Sequence, residues 1–282
     1  MNGLVARVRS TAWFWFLAGL AYLPAFRSAR GLMPSDTKLY LYTDPGRLIA
    51  DAAWMWDPQQ FGGWVPHQMV GYLWPAGPWF WVFDRLGVPD WIAHRLWIGT
   101  IFLLASTGVR WSARRLGLPQ PAALVAGMCY GLSPYVLPYV GRTSGLLLPW
   151  AGLGWMLGLV GVATRTERER WREPALIALV VACLGGLNAT ATILVSPPLL
   201  LWLVDAAARR EITWARAVRT AARTAVLCLG VSLWWMAGLA VQGSYGANVL
   251  AYSETLDAVT FTSIASEVTR GLGYWLFYVV ER

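Results

Sequence analysis

The stretch PALIALVVACLGGLNATATILVSPPLLLWLVDAAARREITWARAVRTAAR, Pro174 to Arg223, decides the fold. Its apolar part, Pro174 to Val204, runs for about thirty residues, too long for one untilted bilayer crossing and short for two. The polar part that follows carries Arg209, Arg210, Arg216, Arg219 and Arg223. A single crossing would leave those arginines outside, against the excess of Lys and Arg that cytoplasmic loops carry. A turn near Gly185 to Thr192 returns them to the cytoplasm, so the segment reads as a helical hairpin.

With the hairpin in place, the other basic clusters fall on the same side. They are Arg7 and Arg9, then Arg110, Arg114 and Arg115, then Arg165, Arg168, Arg170 and Arg172. Fourteen of the 23 basic residues then lie in short cytoplasmic loops. Near-spanning apolar runs at about Thr11 to Phe26, Trp91 to Val109, Pro121 to Val140, Leu146 to Ala163 and Thr224 to Gln242 join the hairpin to give seven expected spans, N-terminus inside. The fold class is thus an all-α polytopic cell-membrane protein with its large loops on the outer side.

Composition supports that solvent. The chain of 282 residues is 57% hydrophobic and 13% charged, with 19 Trp. Soluble domains are about a quarter charged, so this much apolar side chain exceeds what one aqueous core hides. Cys129, Cys183 and Cys228 all lie in apolar runs and read as small buried hydrophobes. The net charge of +8 comes almost wholly from arginine, Lys38 being the single lysine. No aromatic-basic motif sits on a soluble segment, so the charge reports topology and contact with anionic lipid, with no nucleic acid as partner. The first run has no A-x-A cleavage site after it and reads as an uncleaved helix. The final run, GYWLFYVV, is too short to cross; an eighth helix cut off is the reading preferred to an interfacial tail. Residues 1–282 are accordingly expected to form one transmembrane domain that is cut short at its C-terminal end.

Between the first two spans lies an outer loop, residues 28–90, unusually long for such a connection. It holds Asp36, Asp44, Asp51, Asp57, Asp84 and Asp90, with Lys38 and His67, and seven Trp lie between Trp54 and Trp91. Within it, TDPGRLIADAAWMWDP predicts a short amphipathic helix capped by Asp44, begun by Pro45 and braced by Arg47 and Asp51. Its apolar side would comprise Leu48, Ile49, Ala52, Met55 and Trp56. A second short helix, in PAGPWFWVFDRLGVP, should stop at Gly87 and Pro89. Together they predict an interfacial or re-entrant platform that could hold a polyprenyl chain beside a polar pocket. Interface anchoring accounts for the aromatics, though not for so many Asp. A second large outer loop is expected over residues 243–274.

PSDTKLYLYTDPGRLIADAAWMWDP, GYLWPAGP and YGLSPYVLPYVGRTSGLLLPW resemble segments of the actinobacterial α-(1→3)-arabinofuranosyltransferases, membrane enzymes of the GT-C fold. The later YSETLDAVTFTSIASEVTRGLGYW is similar to that family's second outer loop, so the resemblance runs along essentially the whole chain. It implies a GT-C-like bundle that transfers arabinofuranose from decaprenyl phosphate to a hydroxyl of cell-wall arabinan, in arabinogalactan and lipoarabinomannan, on the outer side. The motif match maps the catalytic carboxylate onto Asp36. One base suffices for such chemistry: the lipid phosphate leaves as a stable anion, whereas the acceptor hydroxyl needs deprotonation. Lys38, with His67 and Arg142 as further candidates, would help the leaving phosphate, and His67, Gln68 and Tyr72 could bind sugar hydroxyls. Read without the family, Asp36 is a solvated loop carboxylate or an Asx-turn, and Arg142 an interface anchor. The family more often has an amide at the position of His67.

No cofactor is certain. Some GT-C relatives hold a divalent cation, for which Asp36 with Glu254 or Asp257 could supply oxygen ligands, and a monophosphate donor makes it less necessary. Zinc spacing, a P-loop and a dinucleotide fingerprint are lacking. The family's members are several times longer, which leaves a different expectation open: a non-catalytic subunit or polyprenyl-lipid scaffold that pairs with a complementary membrane chain or a missing C-terminal region.

Overall fold

The structure, a computed structural model, describes residues 2–33, 40–58, 62–66, 70–136, 139, 144–167, 169–248, 251, 255–261 and 265–270. Among these the architecture is helical throughout. Helix α1 (Asn2–Arg27) leads to a short turn α2 (Tyr40–Thr43), then α3 (Pro45–Ala52) and α4 (Ala76–Arg85). The bundle continues through α5 (Asp90–Arg115), α6 (Gln120–Gly131), α7 (Leu147–Arg165), α8 (Arg172–Ala182), α9 (Ala189–Leu194), α10 (Pro197–Ala208) and α11 (Trp214–Tyr245). Two short helices follow, α12 (Leu256–Phe261) and α13 (Ala265–Thr269). Among the described residues, four stretches are long and apolar enough to cross a bilayer: Asp90–Arg115, Ser144–Arg165, Ala189–Ala208 and Trp214–Tyr245.

Side-chain pairs fix the helix directions. Helix α1 is antiparallel to α5: Tyr22 Oη lies 2.9 Å from Thr100 Oγ1, and Arg110 stacks 3.4 Å above the Trp13 ring. Helices α5 and α7 run parallel, since Trp97 Nε1 donates to Ser144 Oγ at 3.1 Å, Trp155 Nε1 to the Leu104 carbonyl at 2.9 Å, and Arg165 to the Arg115 carbonyl at 2.8 Å. The closeness of that pair depends on small residues: a Cβ at Gly154 would meet Val109 N at 2.7 Å, and one at Gly158 would meet Trp111 at 2.4 Å.

The Pro174–Val204 run does turn back. Gly185 and Gly186 pack on Trp235 and Trp234 of α11, while Trp202 of α10 reaches Thr164 at the far end of α7. Helix α8 ends just before the glycine pair, and Asn188 starts α9 by accepting from Ala191 N at 2.8 Å. The basic clusters gather at one pole as a result. There Arg216 donates to the carbonyls of Ala163 and Thr166, and Glu169 receives Arg219 at 3.0 Å and Arg223 at 3.3 Å.

Two expected spans are shorter than the sequence suggested. Helix α6 has 12 residues and α8 has 11. At 1.5 Å per residue these cover about 18 Å and about 16 Å, against a hydrocarbon core of about 30 Å. Pro134 is the cause in α6, because the residue before a proline avoids the α region; the chain leaves the helix after Gly131 and makes a 3-10 turn over Pro134–Val136.

In the long loop, α3 forms as the caps dictate. Asp44 accepts from Arg47 N at 3.0 Å and Arg47 pairs with Asp51 at 3.3 Å. The helix ends at Ala52, earlier than the apolar pattern implied, and buries Leu48 and Ala52 against α4 and the 3-10 turn Val70–Leu73. Trp56, expected on that apolar side, is 58% exposed. Helix α4 stops where foreseen: Gly87 takes φ +68°, with Val88 N bonded to the Phe83 carbonyl at 3.0 Å.

Candidate active site

Five of the six expected site residues, Asp36, Lys38, His67, Gln68 and Arg142, lie outside the described residues. Their described flanks converge on one place, the end of α5 opposite the basic pole. The segment carrying Asp36 and Lys38 is held on both sides. Before it, Arg95 donates to the Leu32 carbonyl at 3.3 Å and also to that of Ala29. After it, Leu41 and Tyr42 are buried, the Tyr42 ring meeting Phe80 at 4.8 Å and His94 at 5.7 Å. Consecutive residues of α5, His94 and Arg95, thus meet the two ends of the segment.

The other two segments are anchored close by. After His67 and Gln68 comes the turn Val70–Leu73, where Gly71 lies so close to the hairpin that a Cβ would sit 2.1 Å from the Gly186 oxygen. After Arg142 comes buried Ser144, which accepts from Trp97 of α5, and Gly145, which packs on Leu187. Tyr72, the sixth expected residue, is 4% exposed and belongs to the core beneath the loop. It forms part of the wall on which Gly77 of α4 rests.

Two cavities open at this pole. One of about 420 Å³ lies between α1, α5 and α6, lined by Leu20, Pro24, Ile98, Phe102 and Met128 with His94 and Arg95. The other, of about 440 Å³, is framed by Tyr130, Tyr135, Tyr139, Trp150 and Asn188. Tyr130 is stacked on Trp150 at 4.8 Å and donates to the Trp150 carbonyl at 2.7 Å.

His94 and Arg95, 3% and 5% exposed, escaped assignment from sequence because they stand near the start of a span, where charged side chains commonly reach the interface. Their available signal was position: ionisable residues on a spanning helix are candidate functional residues by default. For a divalent cation, Asp36 and Glu254 lie outside the described residues and Asp257 is exposed on α12. Among the described residues no group of three His, Cys, Asp or Glu side chains is placed to hold a metal.

Comparison with known proteins matches residues 20–282 to the N-terminal GT-C domain of alpha-(1->3)-arabinofuranosyltransferase. The chain is 31% identical over 276 residues to the alpha-(1->3)-arabinofuranosyltransferase of Mycobacterium tuberculosis, covering 96% of this chain and 19% of that protein. To the enzyme of the same name from Mycolicibacterium smegmatis it is 31% identical over 265 residues, 93% of this chain and 18% of the other. The cryo-EM structure of arabinofuranosyltransferase AftD from mycobacteria superposes with a TM-score of 0.74 at 29% identity, over 83% of this chain and 18% of that one. The chain therefore spans about a fifth of the length of these relatives.

Proposed function

Since the chain belongs to the family of N-terminal GT-C domains of alpha-(1->3)-arabinofuranosyltransferases, a family of multi-pass membrane proteins, we propose that it carries the catalytic loop of a glycosyltransferase that uses a polyprenyl-phosphate sugar. The donor is decaprenyl-phosphoryl arabinose and the acceptor a hydroxyl of cell-wall arabinan. The observation that carries the reading is the convergence of the flanks of three segments, those bearing Asp36 with Lys38, His67 with Gln68, and Arg142, on one end of α5 and on the Gly185–Asn188 turn. The positive-inside rule puts the opposite, basic pole and the N-terminus in the cytoplasm, so the site faces outward.

In this mechanism the Asp36 carboxylate takes the proton from the acceptor hydroxyl as its oxygen attacks the anomeric carbon. The bond from that carbon to the phosphate oxygen breaks on the opposite face, which inverts the configuration. Decaprenyl phosphate leaves as an anion, balanced by Lys38 and Arg142. His67 and Gln68 supply hydrogen bonds to sugar hydroxyls.

Turnover of decaprenyl-phosphoryl arabinose in membranes, wild type against Asp36→Asn, tests the assignment. Removing the base should slow transfer by about 10²–10⁴-fold with the folded protein retained. Equal transfer by the two proteins would remove Asp36 from the role of base.

A further inference from the structure

The cavity between α1, α5 and α6 carries an unexplained cation. Arg95 is 5% exposed, and none of the ion pairs among the described residues engages it. One of its terminal nitrogens, Nη2, bonds the carbonyls of Ala29 and Leu32, and the guanidinium lies 4.4 Å from the centre of the Trp91 ring. The other, Nη1, is buried with no hydrogen-bond partner among the described residues. A guanidinium taken out of water without a counter-charge is costly, and a buried donor left unpaired adds to that cost. An arrangement of this kind is stabilised by an anion that accepts from the free nitrogen.

The surroundings define the rest of the ligand. Leu20, Pro24, Ile98, Phe102, Met128 and Leu132 give the cavity apolar walls, and its volume is about 420 Å³. Leu32 and Leu132 on its rim are 70% and 56% exposed, which leaves the opening apolar and suited to a chain arriving from lipid. A single slot among three helices suits one hydrocarbon chain better than the paired acyl chains of a phospholipid. Arg95 Nη2 also holds the carbonyls of Ala29 and Leu32, the described residues that precede the Asp36 segment in the chain.

We infer that this cavity is the seat of a polyprenyl monophosphate, its chain between α1, α5 and α6 and its phosphate on Arg95. The inference rests on the glycosyltransferase reading and adds the donor's place to it; neither Lys38 nor Arg142 is needed for this contact.

Binding can be read without turnover, on the full chain purified in nanodiscs, by photocrosslinking with a decaprenyl phosphate probe labelled in the tail. Labelled peptides should come from Leu20–Ala25 of α1 and Met128–Leu132 of α6. Unlabelled decaprenyl phosphate should compete at least ten-fold better than decaprenol or dioleoyl phosphatidylglycerol. Arg95→Met should abolish the preference for phosphate over decaprenol, and Arg95→Lys should keep most of it. Ala21→Trp, which fills the slot and leaves Arg95 in place, should block labelling if Arg95→Met fails to fold. Equal competition by decaprenol, equal competition by phosphatidylglycerol, or labelling elsewhere in the chain would each overturn the inference. The labelling reads binding without turnover, so equal transfer by Asp36→Asn would remove the base assignment and leave the seat standing, whereas failure of the labelling pattern would remove the seat alone.

Discussion

Gly154 stands where a methyl group has no room, because the nearest atoms to an added Cβ are backbone of α5, Val109 N at 2.7 Å and Gly108 C at 2.9 Å. Gly154→Ala should therefore push α5 and α7 apart and cost about 1–3 kcal/mol, read as a lowered unfolding midpoint in detergent. Gly230→Ala on α11, with nothing within 4 Å, should not lower it. Glu169 gives a pH-dependent counterpart. The hydrogen bond from Arg219, reinforced by the charges of Arg219, Arg223 and Arg216, holds its carboxyl below the usual glutamate range. A carboxyl lowered on folding contributes fully above its unfolded value, about 4.3, and the contribution is lost as pH falls through the lower folded value. The gap in midpoint between wild type and Glu169→Gln should thus be present at pH 7 and close toward pH 3; a constant gap would mean that Glu169 does not act through its charge. At this scale the sequence was legible where chemistry is local. Asp44, Pro45, Arg47 and Asp51 could be placed from spacing alone and all take the expected contacts available to them. Arg95 could not be, because its partners, Ala29 and Leu32, are more than sixty positions away.

Among the elements, α10 ends under strain. Arg210 adopts φ +62°, while Arg210 N bonds the Ala207 carbonyl at 3.0 Å and Glu211 N that of Ala206 at 2.9 Å, the closing geometry that glycine normally provides. Arg210→Gly should stabilise the chain by up to about 1 kcal/mol, measured as a raised midpoint, and an unchanged or lowered value would show that the arginine side chain offsets its own backbone cost. The same ending was readable at Gly87 and Gly117, where glycine stands in the sequence; at Arg210 nothing local announced it. The hairpin was readable from charge, since five arginines in one loop leave little choice of side. Span lengths were less so. Apolarity continues from Pro121 to Val140 although the helix stops at Gly131, and composition does not distinguish a helix from an apolar 3-10 turn. The loop helix α3 illustrates a related limit: its apolar side was legible, but whether lipid or protein would cover it was not, and Leu48 and Ala52 are covered by protein.

For the molecule as a whole, the arginine-rich loops sort to one pole and the long loop to the other, and the proposed orientation in the membrane rests on applying the positive-inside rule to that asymmetry. In a variant lacking Cys129, Cys183 and Cys228, a cysteine at exposed Glu211 should react with a membrane-impermeant thiol reagent only from the cytoplasmic side. One at Trp54, 73% exposed, should react only from outside. The reverse pattern would invert the topology and place the candidate site in the cytoplasm. Burial is also uneven across the bundle. The most apolar part of Ser144–Arg165 is 67% buried, whereas that of Trp214–Tyr245 is 17% buried. Helix α7 is thus the central pillar, touching α5, α8 and α10. That centrality imposes an order in time on a chain made from its N-terminus. When α7 leaves the ribosome α8 to α11 do not yet exist, and its parallel seat on α5 requires α6 to have doubled back first. Helix α7 therefore closes, around Gly108, Gly154 and Gly158, on α5 and α6 that can already be packed with α1, and α8, α10 and α11 arrive later as its cladding.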